Sequence, residues 1–216
     1  MQWAGDTRDR LPRGRHSLSR EEVVESQRQR LLRAMTDECA ERGFAATTAA
    51  GVYQRAGVSS RAFYENFKDV RDCFLAAYDA SVGLTLSAVA AIDSPPDPLS
   101  QFAAMLERYL DLLQSEPAIA KTFLVEVYGA GPAAIERRLE VHHRFVAALE
   151  QTLGAGRDLT DADRFAIESL VGAVTFHVTA RIMAEDFRGL PSLRDPLLAM
   201  SCRLCPWLAP ASERSR

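Results

Sequence analysis

The stretch ATTAAGVYQRAGVSSRAFYENFKD, residues 46–69, decides the fold of this chain. Thr48 is a good amino-terminal cap, because its hydroxyl can accept a hydrogen bond from one of the first free amides of a helix. Gly57 suits a tight turn, and Ser59 is again a capping residue. Two short helices are therefore predicted, from Thr48 to about Arg55 and from Ser60 to about Phe67.

Two short helices joined by a glycine turn form a helix-turn-helix, in which the second helix enters the major groove of DNA and the first braces it across the phosphates. The helical period predicts that Val58 and Phe63 are buried against a preceding helix. The same period leaves groove-facing residue types on the outer side of the second helix: Ser59, Ser60, Arg61, Ala62, Tyr64 and Asn66.

The preceding helix is predicted from its own ends. Ser19 followed by Glu22 fits a capping box, in which hydroxyl and carboxylate each satisfy one free amide. An apolar stripe then continues to Gly43, a residue type that commonly ends helices. We therefore expect a three-helix DNA-binding domain over residues 20–71.

Charge is unevenly distributed along the chain. Residues 1–71 carry 13 Lys and Arg against 10 Asp and Glu, whereas residues 72–216 carry 13 against 19. A basic module joined to a larger acidic one is expected when only the first module binds an anion. Residues 1–19 are predicted to form a flexible basic arm, whose Arg13 and Arg15 are candidates for binding the minor groove.

Residues 27–44, QRQRLLRAMTDECAERGF, together with residues 46–69, resemble the DNA-binding domain of the TetR family of transcriptional regulators. The resemblance implies an all-α regulator with a divergent second domain, here residues 72–216, that binds a small-molecule effector and forms a homodimer. Such a dimer would bind double-stranded DNA at a pseudopalindromic operator. The matching features are Gly43-Phe44, Thr48, Ala56-Gly57-Val58-Ser59, Phe63-Tyr64 and Phe67.

The resemblance also implies roles for individual residues. Thr48 and Tyr64 match phosphate contacts, and Ser60, Ala62 and Asn66 match positions that face the bases. Arg61 is the best candidate for reading a base, since a guanidinium can bind the O6 and N7 atoms of guanine together.

Two positions depart from the family pattern. Val70 stands where the family usually has a phosphate-binding lysine, and Lys68 or Arg71 is a candidate to replace it. Gly51 lies inside the first helix of the helix-turn-helix, where it costs about 1 kcal/mol relative to alanine. An alternative function therefore stays open: a ligand-sensing or partner-binding helical dimer with weak or lost DNA binding.

The rest of the chain is predicted to be helical, because its apolar residues recur at intervals of three and four and no segment alternates with period two. With the three helices above, the chain should contain about nine. The further helices are expected from Asp69 to Asp93, Leu99 to Ser115, Pro117 to Tyr128, Pro132 to Leu153, Asp161 to Phe187 and Leu193 to Trp207.

Within this helical part, aromatic and histidine side chains are candidates to line an effector cavity, since such cavities are mostly apolar with a few polar groups. The run from Asp161 to Phe187 is apolar on two faces, of which one could pack inside the domain and the other against a second subunit. The cavity candidates are Tyr109, Phe123, His142, Phe145, Phe176 and His177, and the candidates for the dimer interface are Ile167, Leu170, Val174 and Val178.

Several classes are disfavoured. No uninterrupted apolar run is long enough for a membrane span, and the first residues contain no secretory signal, so a cytoplasmic protein without membrane partners is expected. No catalytic constellation, cofactor motif or complete metal-ligand set is present, which argues against a helical enzyme. Cys202 and Cys205 have the spacing of zinc ligands but lack a second pair, and are interpreted as buried thiols.

Overall fold

The computed structural model describes residues 19–90, 97–154 and 157–208. Within these ranges the chain is helical and contains no strand, which confirms the predicted all-α class. Nine α-helices lie in the described residues: α1 (Arg20–Arg42), α2 (Ala49–Ala56), α3 (Ser60–Asn66), α4 (Val70–Ala90), α5 (Pro98–Ser115), α6 (Pro117–Leu124), α7 (Pro132–Leu153), α8 (Asp161–Met183) and α9 (Arg194–Leu204).

The ends of α1 are formed as its sequence predicts. The Ser19 hydroxyl accepts a hydrogen bond from the Glu22 amide at 3.2 Å, and the Ser19 amide donates to the Glu22 carboxylate at 2.6 Å. Gly43 ends the helix with a φ of 79°, a value that side-chain-bearing residues rarely adopt. The capping box and the terminal glycine thus fix where α1 begins and ends.

The helix-turn-helix is formed by α2 and α3. Thr48 caps α2 by accepting from the Gly51 amide at 3.1 Å, and Ser59 caps α3 by accepting from the Ala62 amide at 3.1 Å. Between them Gly57 adopts the left-handed conformation, with φ 64°. The two helices and their turn therefore follow from caps and a glycine that are readable in the sequence.

Gly51 allows α2 to lie close against α1. A Cβ atom at this position would lie 3.2 Å from Oε1 of Glu38. Glu38 is buried and forms ion pairs with Nε of Arg42 at 3.0 Å and Nε of Arg55 at 3.4 Å. The glycine thus makes room for a carboxylate that joins the two helices.

The body of the protein has two apolar cores. The first is formed by α1 to α4 with α6 and the start of α7, and the second by α5 and α7 to α9 with part of α6. Because α4 begins beside α3 and α6 packs against α1, the first core continues from the helix-turn-helix into the helical body.

Three helices are shorter than expected, and α9 is one of them, since it ends at Leu204 rather than near Trp207. α6 ends at Leu124 and a 3₁₀ segment, Glu126–Ala130, follows it. α8 ends at Met183, because Glu185 takes a positive φ of 56° and Asp186 then caps a second 3₁₀ segment. The residues expected at the end of α4, beyond residue 90, lie outside the described ranges.

Candidate nucleic-acid interface and cavity

The outer face of α3 presents most of the side chains expected there. Ser59, Ser60, Arg61 and Tyr64 are exposed, and 58% of Tyr64 is accessible. Arg61 forms an ion pair on the same helix, because its Nε lies 2.8 Å from Oε1 of Glu65, one turn along. This bond raises the pKa of Arg61. The spacing of four residues is the usual signal for such a pair, and the sequence analysis missed Glu65.

Two predicted base-facing residues on α3 differ from the expectation. Ala62 is only 7% exposed, so its assignment to the groove-facing side is wrong. It lies beside Phe63 on the inner face, and a side chain as small as alanine does not reveal its face by polarity. Asn66 is half-buried, and its amide nitrogen donates to the Ala62 carbonyl at 2.8 Å.

α3 rests on a cluster of aromatic rings. Phe63 is fully buried, with its ring centroid 5.8 Å from that of Phe67 and 6.5 Å from that of Tyr53. From α1, the Arg28 guanidinium lies 4.7 Å from the Phe67 ring centroid. These contacts hold the exposed side chains of α3 on a rigid support.

The side chains expected at phosphates surround α3. Thr48 and Lys68 are exposed at the start of α2 and just after α3. Val70 is partly buried against the first core, and Nε of Arg71 donates to the Ala130 carbonyl at 3.0 Å. Of the two replacement candidates, Arg71 thus bonds the helical body, whereas the Lys68 side chain lies on the surface. Arg13 and Arg15 lie outside the described residues.

Arg30 of α1 supports the turn between α2 and α3, a role that sequence reasoning missed. Its Nη1 donates to the Ala56 carbonyl at 3.1 Å, at the carboxyl end of α2, where a positive charge is favourable. The two residues are 26 positions apart in the chain, so no local spacing signals the bond.

A cavity of about 480 Å³ lies in the helical body, within the range of about 300 to 1,000 Å³ that is usual for small-molecule sites. Its wall is formed by α4, α5, α6, α7 and α8. Large apolar residues dominate the wall: Val82, Leu86, Val89, Phe102, Met105, Leu106, Leu113, Ile119, Phe123, Leu124, Val141, Phe145, Leu149, Val171 and Val174.

Four of the six predicted cavity residues line it: Tyr109, Phe123, His142 and Phe145. The other two do not. Phe176 is 69% exposed and His177 is also exposed, with their rings packed edge to face on the outside of α8. The prediction for these two residues is wrong, because α8 turns its inner face through the neighbouring positions Val174 and Val178.

Burial changes the protonation behaviour of the polar cavity residues. It raises the pKa of Tyr109 to about 12 and that of Tyr78 to about 12, so both phenols carry their protons at neutral pH. Burial lowers the pKa of His142, an effect that the nearby Glu168 partly opposes. His142 is therefore a neutral imidazole at neutral pH, able to donate one hydrogen bond and accept another.

The face of α8 that was predicted to form the dimer interface points into the domain, and the other apolar face points outward. Ile167, Leu170 and Val178 are fully buried in the second core and Val174 lines the cavity, so none of these candidates lies on a free surface. The exposed apolar side chains on this helix are Phe165, Phe176 and Met183.

Within the described residues, α8 is the helix whose length and composition alone would suffice to cross a membrane.

The cysteines provide no visible metal site. Cys205 is buried and its pKa is raised to about 11 by that burial, whereas Cys202 is only half-buried, which corrects the expectation that both thiols are buried. Across the ranges that the structure describes, no three His, Cys, Asp or Glu side chains gather into a group that could hold a metal ion.

A helix-turn-helix on a helical body with an internal cavity defines a class, that of DNA-binding transcriptional regulators. Residues 31–77 match the family model of the bacterial regulatory proteins of the tetR family. The amino-terminal domain therefore belongs to the TetR family, and the resemblance drawn from the sequence is confirmed. No curated protein matches the chain in sequence.

Solved structures share the fold. The chain is similar to the fatty acid degradation regulator FadR from Bacillus halodurans, with 16% identity, a TM-score of 0.73 and coverage of 81% of this chain and 94% of that one. It is similar to a transcriptional regulator from Rhodococcus sp., with 21% identity, a TM-score of 0.70 and coverage of 85% and 99%. FadR from Bacillus subtilis, solved in complex with stearoyl-CoA, has 16% identity, a TM-score of 0.68 and coverage of 80% and 96%. At 16–21% identity these likenesses show the shared fold. The family that residues 31–77 match is one of regulatory proteins rather than of enzymes.

Proposed function

We propose that this chain is a cytoplasmic, homodimeric repressor that binds a pseudopalindromic operator through α3 and is released by a small effector in the cavity. The observation that carries the proposal is the position of α6. This helix lines the cavity with Ile119 and Phe123, and it also packs directly against α1 of the DNA-binding domain. A single short helix thus contacts both sites.

The contacts between α6 and α1 are specific. The Thr122 hydroxyl donates to the Thr36 carbonyl at 2.9 Å within the buried interface. At the start of α6, Oε2 of Glu116 lies 3.1 Å from Nη1 of Arg33. An effector that binds better to one position of α6 than to another would shift the population of the DNA-binding domain by its difference in affinity.

A second link connects the 3₁₀ segment that follows α6 to the DNA-binding domain. Oε2 of Glu126 accepts from the Phe44 amide at 3.0 Å, immediately after α1. The Ala130 carbonyl, at the end of the same segment, accepts from Arg71 at the start of α4. Motion of α6 would therefore reach both helices that flank the helix-turn-helix.

The homodimer is proposed to form through the outer face of α8. Phe165, Phe176 and Met183 are 69–70% exposed along one side of this helix. Apolar patches of this kind usually mark an interaction surface, and a two-fold dimer is the commonest way to bury one. Two copies of α3 at the correct spacing would then face successive turns of the major groove.

The dimer is tested by Phe176→Glu, with the mass of the particle measured by light scattering after gel filtration. We expect a dimer for the wild type and a monomer for the variant, because a dimer would bury two carboxylates in an apolar interface. Val24→Glu is the matched control, since Val24 is exposed on α1 rather than on α8. A wild-type monomer, or a variant dimer of unchanged affinity, would contradict the proposed interface.

Operator binding is tested by selecting bound sequences from a random duplex pool with the purified protein. We expect a pseudopalindrome whose half-sites lie about 34–36 Å apart or a multiple of that distance. Absence of any enriched sequence would contradict the proposal and would favour the alternative of a ligand-sensing or partner-binding dimer that has lost DNA binding.

A further inference from the structure

Charge is distributed one-sidedly around the cavity. Among the described residues, its wall contains one arginine and one histidine but no aspartate or glutamate. We propose that the effector is an aliphatic carboxylate, bound with its carboxylate at Arg138 and its chain along the apolar wall. This inference rests on the proposed function, since it names the chemical class of the molecule that the cavity takes.

Arg138 lacks a carboxylate partner among the residues that the structure describes. Its Nε donates to the Tyr128 hydroxyl at 3.0 Å, its guanidinium lies 5.0 Å from the Tyr128 ring centroid, and its positive charge partly opposes the rise in the pKa of the buried Tyr78. The adjacent Arg137 differs, because it pairs with Asp79 at 3.4 Å and with Glu140 at 2.8 Å. A guanidinium has five N–H donors, so Arg138 keeps donors for an anion.

Further polar groups lie at the same end of the cavity. Ser81 is one turn from Tyr78 on α4, and His142 is one turn from Arg138 on α7. Ser81 is 3% exposed, and its hydroxyl has no hydrogen-bond partner within the described part of the chain. Because buried hydroxyls are normally bonded, the Ser81 hydroxyl marks a place for a ligand oxygen.

The remainder of the cavity wall favours an aliphatic chain in the effector. α5, α6 and α8 supply mainly apolar side chains to the cavity, among them Leu106, Leu113, Ile119 and Val171. A cationic ligand would place like charges together beside Arg138. A neutral ligand would leave the guanidinium without an opposite charge, and hydrogen bonds between charged groups are about twice as strong as neutral ones.

The test measures thermal unfolding of the full chain with three probes of equal chain length: dodecanoate, dodecan-1-ol and dodecylammonium, each below its micelle concentration. A ligand that binds the folded state raises the melting temperature as its concentration exceeds its Kd. We expect dodecanoate to bind at least about tenfold more tightly than dodecan-1-ol, which corresponds to about 1.4 kcal/mol, with dodecylammonium weakest.

Variants assign this preference to one side chain. Arg138→Gln should remove the difference between dodecanoate and dodecan-1-ol, and Arg138→Lys should keep part of it. Arg137→Gln, the matched control, should leave the difference unchanged. Equal binding of acid and alcohol by the wild type, or an unchanged preference in a folded Arg138→Gln variant, would overturn the proposal.

A fourth probe, dodecanoyl-CoA, tests whether the cavity binds the free acid or its thioester. Binding of the thioester without binding of dodecanoate would overturn the assignment of a carboxylate to Arg138 while leaving an effector cavity in place. These measurements contain no DNA, so they are independent of the operator selection. A failure of the proposed repressor function can thus be distinguished from a failure of the proposed ligand class.

Discussion

Arg61 on α3 and Arg138 beside the cavity belong to two binding regions that are built in different ways. Arg61 is highly exposed and is paired with Glu65 of its own helix, in contact with solvent. Arg138 is half-buried, and in the described chain it contacts phenol groups rather than carboxylates. The exposed pair is weak and can open for DNA. The positive charge of Arg138, in contrast, can be neutralised by a ligand that carries a negative charge.

The two regions also differ in how the chain assembles them. The exposed residues of α3 come from one short helix that Phe63 anchors from below, whereas the cavity wall comes from five helices between Tyr78 and Thr175. A DNA-reading surface needs a rigid support under a few side chains. A cavity needs several helices to remain apart, and it can respond to a ligand by changing their positions.

The largest expected effect tests the rigid support of α3. Phe63→Ala should lower the free energy of unfolding by about 3–5 kcal/mol, because it removes a fully buried ring from an aromatic cluster. Chemical denaturation measures this loss. Tyr64→Ala, at the adjacent exposed position, is the control and should weaken DNA binding with little change in stability. Equal destabilisation by both variants would contradict the division into anchor and surface.

The next effect concerns base reading. Arg61→Ala should lower discrimination at one operator position by about 1–3 kcal/mol, because it removes a bidentate contact to guanine. Affinities for single-base operator variants measure it. Lys68→Ala should instead weaken binding to all duplexes alike, as expected of a phosphate contact. An Arg61→Ala variant with unchanged preference across the variants would refute the role assigned to Arg61.

A smaller effect tests the link between the two regions. Thr122→Val should cost about 0.5–1.5 kcal/mol of stability, because it removes the hydrogen bond to the Thr36 carbonyl of α1. It should also change the effect of a bound ligand on operator affinity. Ser201→Ala is the matched control, since the Ser201 hydroxyl donates to the Leu198 carbonyl within α9 and the residue does not line the cavity. Unchanged coupling in Thr122→Val would exclude this contact from the link.

The smallest effect concerns Glu65. Glu65→Gln should raise affinity for DNA up to about fivefold, since an exposed ion pair is weak and its removal frees Arg61. Fluorescence anisotropy with a labelled duplex measures this gain. Glu41→Gln is the control, because Glu41 pairs with Arg55 away from α3. Weaker binding by Glu65→Gln would show that the carboxylate supports the bound conformation of Arg61.

Local signals predicted the DNA-binding domain well. The capping box at Ser19, the caps at Thr48 and Ser59, and the left-handed Gly57 each act over three or four residues, and each is found where it was expected. Ala62 was misplaced because alanine fits either face of a short helix. Arg30 and Glu126 escaped notice because their bonds join residues far apart in the chain.

The cavity and the dimer surface were less predictable. Periodicity finds the faces of a helix, but it does not say which of two apolar faces points inward. On α8 the choice was reversed, so Ile167 and Leu170 belong to the core while Phe176 lies outside. The ion pair of Arg137 is signalled in part by Glu140 three residues later on α7. The contact of Arg137 with Asp79 and that of Arg138 with Tyr128 join residues farther apart in the chain, and no helical spacing predicts them.

The central claim is that the exposed face of α3 reads a DNA sequence. It is tested most directly by the affinities of the wild-type protein for its selected operator and for a scrambled duplex of equal length, across a series of salt concentrations. We predict that the operator binds at least about 10³-fold more tightly, and that both affinities fall steeply with salt as counterions are released. Equal affinities for the two duplexes at every salt concentration would contradict the claim.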